Sequence, residues 1–206
     1  MYRKFIKRTL DLIVAIVGLI VASPVLIITA ILIKLDSKGR VLFVQERTGK
    51  GGKNFKIYKF RTMKEEMEVD GRILTHDERI TKLGDTIRKL SIDELPQLLN
   101  ILKGDMSFIG PRPWIPEYYE NFTEEQKQRV NVLPGITGLA QANGRNAITI
   151  FDKINLDIEY TKKVTFLTDV KIIIDTIKTV FTKHGAEIKQ EGMFDEIAQL
   201  KAQFDK

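Results

Sequence analysis

Apolar residues follow two regimes along this chain. Over residues 12–33 they run on continuously, 22 residues rich in Ile, Val, Leu and Ala with no formal charge. A helix of that length, at about 1.5 Å per residue, reaches across a bilayer core of about 30 Å. Ser23–Pro24 stands at the midpoint, where proline removes a backbone donor and crowds the preceding turn, so a break is predicted there. Arg3, Lys4, Lys7 and Arg8 precede the run, and Lys34, Lys38 and Arg40 follow it. Positive charge marks the cytoplasmic side of a span, and here both flanks carry it. A re-entrant helix that dips into one leaflet, turns at Ser23–Pro24 and returns satisfies both, with Ser23 bonding a carbonyl freed by the break. A proline-kinked single span is the alternative. A signal peptide fits poorly, because its apolar core is shorter.

Beyond residue 40 the pattern becomes periodic. Residues 41–46 and 55–60 are short β-favouring runs around a Gly- and Lys-rich connection, which predicts a hairpin. That connection is not a phosphate-binding P-loop: Gly52–Lys53 is followed by Asn54, and Arg47 stands where the motif wants glycine. Residues 64–82 read as a helix and a surface connection. Gly, Pro and Arg crowd 104–116 and 134–145, which predicts stiff shaped loops rather than regular elements. Residues 117–130 read as helical. Val170, Ile173, Ile174, Ile177, Val180 and Phe181 recur at helical spacing, as do Met193, Ile197, Leu200 and Phe204 in the tail. The former suits core packing or a membrane interface, the latter packing or self-association. The predicted fold is therefore mainly α with a small β-hairpin (α+β), with amphipathic interfacial helices. Its parts are a membrane anchor over 1–36, a catalytic domain over 37–185 and an amphipathic tail over 186–206.

Composition narrows the chemistry. The absence of cysteine removes disulfides, thiol nucleophiles and thiolate metal sites. His76 and His184 have no metal-ligand spacing. The formal charge of +6 suits an anionic partner; nucleic acid is disfavoured because aromatics are not interleaved with the basic residues. The strongest candidate for chemistry is Ser91-Ile92-Asp93-Glu94-Leu95-Pro96-Gln97. It also fits a plain helix start, with Ser91 and Glu94 as a capping box or Asp93 as N-cap. Its setting favours chemistry. Arg88, Arg112 (between Pro111 and Pro113) and Arg145 surround it in sequence, and Lys59 and Arg61 end the hairpin. Arginine forks suit phosphate oxygens. A carboxylate can hold Mg²⁺ or attack phosphorus. The residues alone thus point to Mg²⁺-assisted phosphoryl transfer at a membrane surface, with a non-catalytic membrane adaptor as the alternative.

Five stretches then carry a resemblance: the basic N-terminus with Ser23–Pro24, KIYKFRTM at 56–63, LSIDELPQLLN at 90–100, KGDMSFIGPRP at 103–113 and PGITGLAQANGR at 134–145. In this order they resemble the monotopic phosphoglycosyl transferases of the bacterial sugar transferase superfamily. In its short length the chain is similar to the small diacetamidobacillosamine-phosphate transferases of bacterial N-linked protein glycosylation. The resemblance implies transfer of a phosphosugar from a UDP-sugar to a polyprenyl phosphate such as undecaprenyl phosphate, releasing UMP. It implies Asp93 as nucleophile and Mg²⁺ ligand, Glu94 as its partner, and phosphate contacts for Arg88, Arg112 and Arg145. It further implies a place on the cytoplasmic face of the bacterial inner membrane among membrane lipids, and downstream glycosyltransferases as further partners. The sugar and the oligomeric state stay open.

Overall fold

The structure, a computed structural model, describes residues 1–69, 71–144, 147–181 and 192–204. Arg145 and the expected boundary at 185/186 lie outside the described residues. After one π-turn at Tyr2–Ile6 comes the long helix α1 (Lys7–Asp36), which is apolar and long enough to cross a membrane. Residues on both sides of Pro24 stay helical, so the expected division at Ser23–Pro24 is not an interruption of the helix. The reason is local. The Ile20 carbonyl, which a proline at position 24 leaves without its usual donor, accepts a hydrogen bond from Ser23 Oγ at 2.7 Å.

Both ends of α1 lie on the globular body. Near the start, Arg8 donates to the carbonyls of Ile101 and Leu102 at 2.6 and 3.1 Å, and Asp11 accepts from the Phe108 N–H at 3.1 Å. Ala15 and Leu19 pack with Ile57, Leu98 and Ile101; past the proline, Leu26, Ala30 and Ile33 pack with Phe60 and Ile87. Positions 8, 11, 15, 19, 26, 30 and 33 keep helical spacing, so they form one seam along the body. Ile13, Val17, Ile20, Val21, Ile27 and Ile31 face outward and are exposed.

The hairpin forms as expected and is slightly longer, with β1 (Leu42–Thr48) antiparallel to β2 (Asn54–Phe60). Residues 64–82 differ from expectation. They hold a two-residue ladder, β3 (Glu68–Val69) with β4 (Arg72–Ile73), and a one-turn helix, α2 (His76–Arg79), which a Thr75–Glu78 capping box starts. Then follow α3 (Lys82–Lys89), a 3₁₀ turn at Ile92–Gln97 and α4 (Leu98–Lys103).

The two Gly- and Pro-rich stretches are not only loops. β5 (Ser107–Ile109) and β6 (Gly135–Thr137) pair in parallel, and their backbones meet closely: a Cβ on Gly135 would lie 2.1 Å from the Gly110 nitrogen. Strands of three residues are too short to show a period of two. The expected helix over 117–130 is split into α5 (Pro116–Glu120) and a 3₁₀ turn at Gln126–Val130. Asn121 Nδ2 folds back on the Glu117 carbonyl at 2.6 Å, and Thr123 and Gln126 bond one another, which ends one helix and starts the next turn.

The remaining helices are α6 (Leu139–Ala142), α7 (Ile150–Lys162), α8 (Phe166–Phe181) and α9 (Met193–Ala202). The architecture is α+β, predominantly helical, as expected. The tail packs inward: Leu200 is fully buried with Tyr118, Phe122, Ile150 and Ile154. On α8, Ile172 is buried while Phe166, Leu167, Ile173, Ile174 and Ile177 are exposed. Asp169 ties this helix to the N-terminus, accepting from Tyr2, Lys7 and Tyr160 at 2.6 to 2.8 Å.

Candidate active site

The acidic pair sits on the 3₁₀ turn at Ile92–Gln97, and its entry is unusual. Ser91 adopts φ +55° and ψ +21°, the one positive φ outside glycine among the described residues, and its side chain makes no cap bond. A serine in this region costs free energy that neighbouring structure must offset. The capping box that the sequence allowed is therefore absent. Glu94 turns instead to two cations: Lys59 Nζ lies 2.6 Å and Arg112 Nη2 3.0 Å from its Oε1.

Asp93 is held differently. Lys59 Nζ is 3.9 Å from its Oδ2, and no described residue donates a hydrogen bond to it. Burial raises its carboxyl above the ordinary aspartate value and Glu94 adds to this, while Lys59, Arg88 and Arg112 pull it back. For Glu94 burial works in the same upward direction but loses: Arg112 and Lys59 hold it at about 2. Adjacent carboxylates thus have opposite environments. Glu94 is locked as a permanent anion in a cationic clamp, and Asp93 is left with free oxygens.

Each clamp residue is positioned by backbone chemistry. Asn100, fully buried on α4, accepts from the Tyr58 N–H at 3.0 Å and donates to the Lys56 carbonyl at 2.7 Å, which fastens β2 beside the turn and presents Lys59. Arg112 sits between two prolines, and its carbonyl accepts from Arg129 Nη2 at 2.8 Å. Arg129 in turn stacks 3.8 Å from the Trp114 ring and pairs with Asp157 at 2.5 Å, both side chains 2% exposed. The loop that bears Arg112 is thus rigid from below.

The other expected residues divide. Arg88 donates to Thr62 Oγ1 at 2.7 Å, and its charge is felt at Asp93. Arg61 is buried, with its two Nη groups on the Lys38 and Ser37 carbonyls at 2.6 and 2.8 Å, so here it pins the hairpin to the exit of α1 rather than facing a phosphate. Arg145 has no described position.

A cleft of about 650 Å³ opens beside the turn, lined by Ser91, Glu94 and Arg112 together with Arg47, Gln141 and Asp157 among others. These last three were not singled out from sequence. Arg47 carried a faint signal, since Gln45 and Arg47 share one face of β1 by the two-residue alternation. Burial and then the nearby Arg112 push the Arg47 guanidinium down to about 10. Two cations that destabilise each other on one wall make a seat for an anion. No group of three or more metal-ligating side chains occurs among the described residues. Asp93, with Glu94 already clamped, fits a Mg²⁺ ion only when substrate phosphates complete its shell, which is the usual habit of that ion.

Comparison with known proteins identifies the family of the chain. Residues 2–183 match the family model described as bacterial sugar transferase. The chain is 46% identical over 182 residues to an uncharacterized sugar transferase, EpsL, of Bacillus subtilis (strain 168), covering 88% of this chain and 90% of that one. It is 44% identical to the UDP-N-acetylgalactosamine-undecaprenyl-phosphate N-acetylgalactosaminephosphotransferase of Aeromonas hydrophila, over 88% of this chain and 45% of the relative. It is 39% identical to the UDP-glucose:undecaprenyl-phosphate glucose-1-phosphate transferase of Caulobacter vibrioides, over 87% and 71%. The chain thus spans less than half the length of the Aeromonas relative. The sugars in these names are glucose and N-acetylgalactosamine, so the narrower likeness to diacetamidobacillosamine enzymes gains no support.

Proposed function

The chain belongs to the bacterial sugar transferase family, and from that premise we propose that it moves a phosphosugar from a UDP-sugar to undecaprenyl phosphate. The observation that carries the reading is the divided acidic pair, a free Asp93 beside a Glu94 clamped by Lys59 and Arg112 at the edge of a polar cleft.

In this account an Asp93 oxygen attacks the β-phosphorus of the donor. The bond from that phosphorus to the bridging oxygen breaks, and UMP leaves. An oxygen of the polyprenyl phosphate then attacks the same phosphorus, and the Asp93 carboxylate is released as the lipid diphosphate sugar forms. Arg112 and Arg47 face the diphosphate, where fixed cations stabilise developing charge. Glu94 orients the two cations and, as a neighbouring anion, helps to keep Asp93 from being over-stabilised as a carboxylate. Mg²⁺, when held by Asp93 together with the diphosphate, supplies further charge neutralisation.

We read the membrane placement from α1: its two flanks rest on one globular body, which supports an anchor that enters and leaves the bilayer on one side, with the catalytic part on the cytoplasmic face. The exposed apolar residues of α1 and α8 give the bilayer a surface to meet. The adaptor alternative rested on Asp93–Glu94 as a helix cap, and that cap does not form.

The direct test is Asp93→Asn in the full-length protein. UMP release from a panel of UDP-sugars with undecaprenyl phosphate falls on the order of 10⁴-fold, as for loss of other covalent nucleophiles. Normal turnover by the variant rejects Asp93 as nucleophile.

A further inference from the structure

Among the described residues, five buried side-chain polar atoms have no hydrogen-bond partner: Arg47 Nε, Arg61 Nε, Gln141 Nε2, Gln141 Oε1 and Asp157 Oδ1. Four of the five belong to residues on the wall of the one cleft beside Glu94. Buried polar groups are rarely left unpaired, and their clustering about a cavity marks groups that a ligand completes. Gln141 is the extreme case, with both ends of its amide unpaired.

Its position is fixed by the backbone. α6 starts directly after Gly138, where a Cβ would lie 2.2 Å from the Gly110 carbonyl, so only glycine lets the helix approach the β5–β6 pair this closely. Ala140 and Ala142 are buried on either side of Gln141, and Thr179 Oγ1 donates to the Ala142 carbonyl at 2.9 Å. A rigid amide with one free donor and one free acceptor matches a planar partner with an adjacent acceptor and donor.

Resting on the donor assignment above, we infer that Gln141 binds the uracil edge of the donor, its Nε2 donating to a ring carbonyl and its Oε1 accepting from the ring N3–H. Three observations converge. Gln141 lines the same cleft as Arg47 and Arg112, the cations that this reading sets against the diphosphate, so its amide is left for an organic end of the donor. Asp157 Oδ1, on the same lining, offers an acceptor to a hydroxyl, which ribose supplies. Two relatives are named for different sugars on the same UDP carrier, so the base belongs to the part that their donors share.

The experiment compares UMP with ribose 5-phosphate, which is UMP without the base, by titration calorimetry on full-length protein. In the wild type UMP binds at least about tenfold tighter than ribose 5-phosphate, the net scale of one or two hydrogen bonds. In Gln141→Leu that advantage collapses to about twofold or less, while ribose 5-phosphate binding is unchanged. Gln141→Glu, which keeps the length and loses the donor, shows the same loss and covers the case in which the leucine variant does not fold. The inference is overturned if either folded variant binds UMP as the wild type does, which would assign Gln141 to the sugar. It is equally overturned if both ligands weaken together, or if the wild type does not prefer UMP. The reaction is read separately: a wild type that releases no UMP from any UDP-sugar rejects the proposed function, whatever the binding ratio shows.

Discussion

At the scale of single residues, Asp93 and Glu94 show how little the residue type decides. Both are acids on one 3₁₀ turn, yet one is held at about 2 by two cations and the other is raised by burial. The sign of a pH effect follows. In the proposed mechanism Asp93 attacks as the carboxylate, so activity is expected to fall as pH drops through its raised value. Lys59 is among the charges that hold that value down, so Lys59→Met moves the acid limb of kcat/KM to higher pH; a limb that stays in place contradicts the electrostatic assignment. Arg129 gives a stability prediction. It is the partner of buried Asp157, and Arg129→Met leaves that carboxylate unpaired, at a cost of about 3–5 kcal/mol in a denaturant titration. Little change would mean that the pair is not a structural support for the Arg112 loop. Lys59, Arg112, Asp93 and Glu94, which the structure brings together, could be picked out in the sequence, because short charged motifs between stiff residues survive without tertiary information. Arg47, Gln141 and Asp157 were not. Their significance is a buried polar atom without a partner, which no local pattern records. Arg61 misled for the converse reason: its charge was visible, but the Ser37 and Lys38 carbonyls that occupy it were not.

At the scale of elements, the extent of α1 was plain from its uncharged run, though not its continuity past Pro24, and the hairpin from its two β-favouring runs, whereas β5 and β6 were hidden in glycine and proline. Three-residue strands depend on close backbone approach, here between Gly110 and Gly135, rather than on side-chain periodicity. The single helix α1 carries its own prediction. With no native cysteine, single cysteines at Thr9 and Ser37 are unique labels. Both react with a membrane-impermeant reagent from the same side of sealed vesicles; reaction from opposite sides rejects the re-entrant anchor. α9 makes a second claim. Leu200 is fully buried against its packing neighbours, so Leu200→Ala costs about 2–5 kcal/mol. A cost near zero in thermal or chemical unfolding would show the tail to be an independent appendage.

At the scale of the whole molecule, the chain joins an exposed apolar surface to a cleft through one short turn. α1 carries exposed apolar residues outward and contributes its inner seam to the core under β2 and α4, the elements that present Lys59 and the dyad. Anchor and active site therefore share a foundation, and in the proposed reaction a lipid phosphate at headgroup height meets a donor arriving from solution. The same proposal has the phosphosugar rest on the protein between the two substrates. Intact-mass measurement of the full-length protein with a UDP-sugar that it turns over, in the absence of lipid acceptor, tests that point. The account predicts a mass increase of one phosphosugar, mapped to Asp93, absent in Asp93→Asn and discharged on addition of undecaprenyl phosphate. An unmodified protein under conditions of full turnover with both substrates would contradict it.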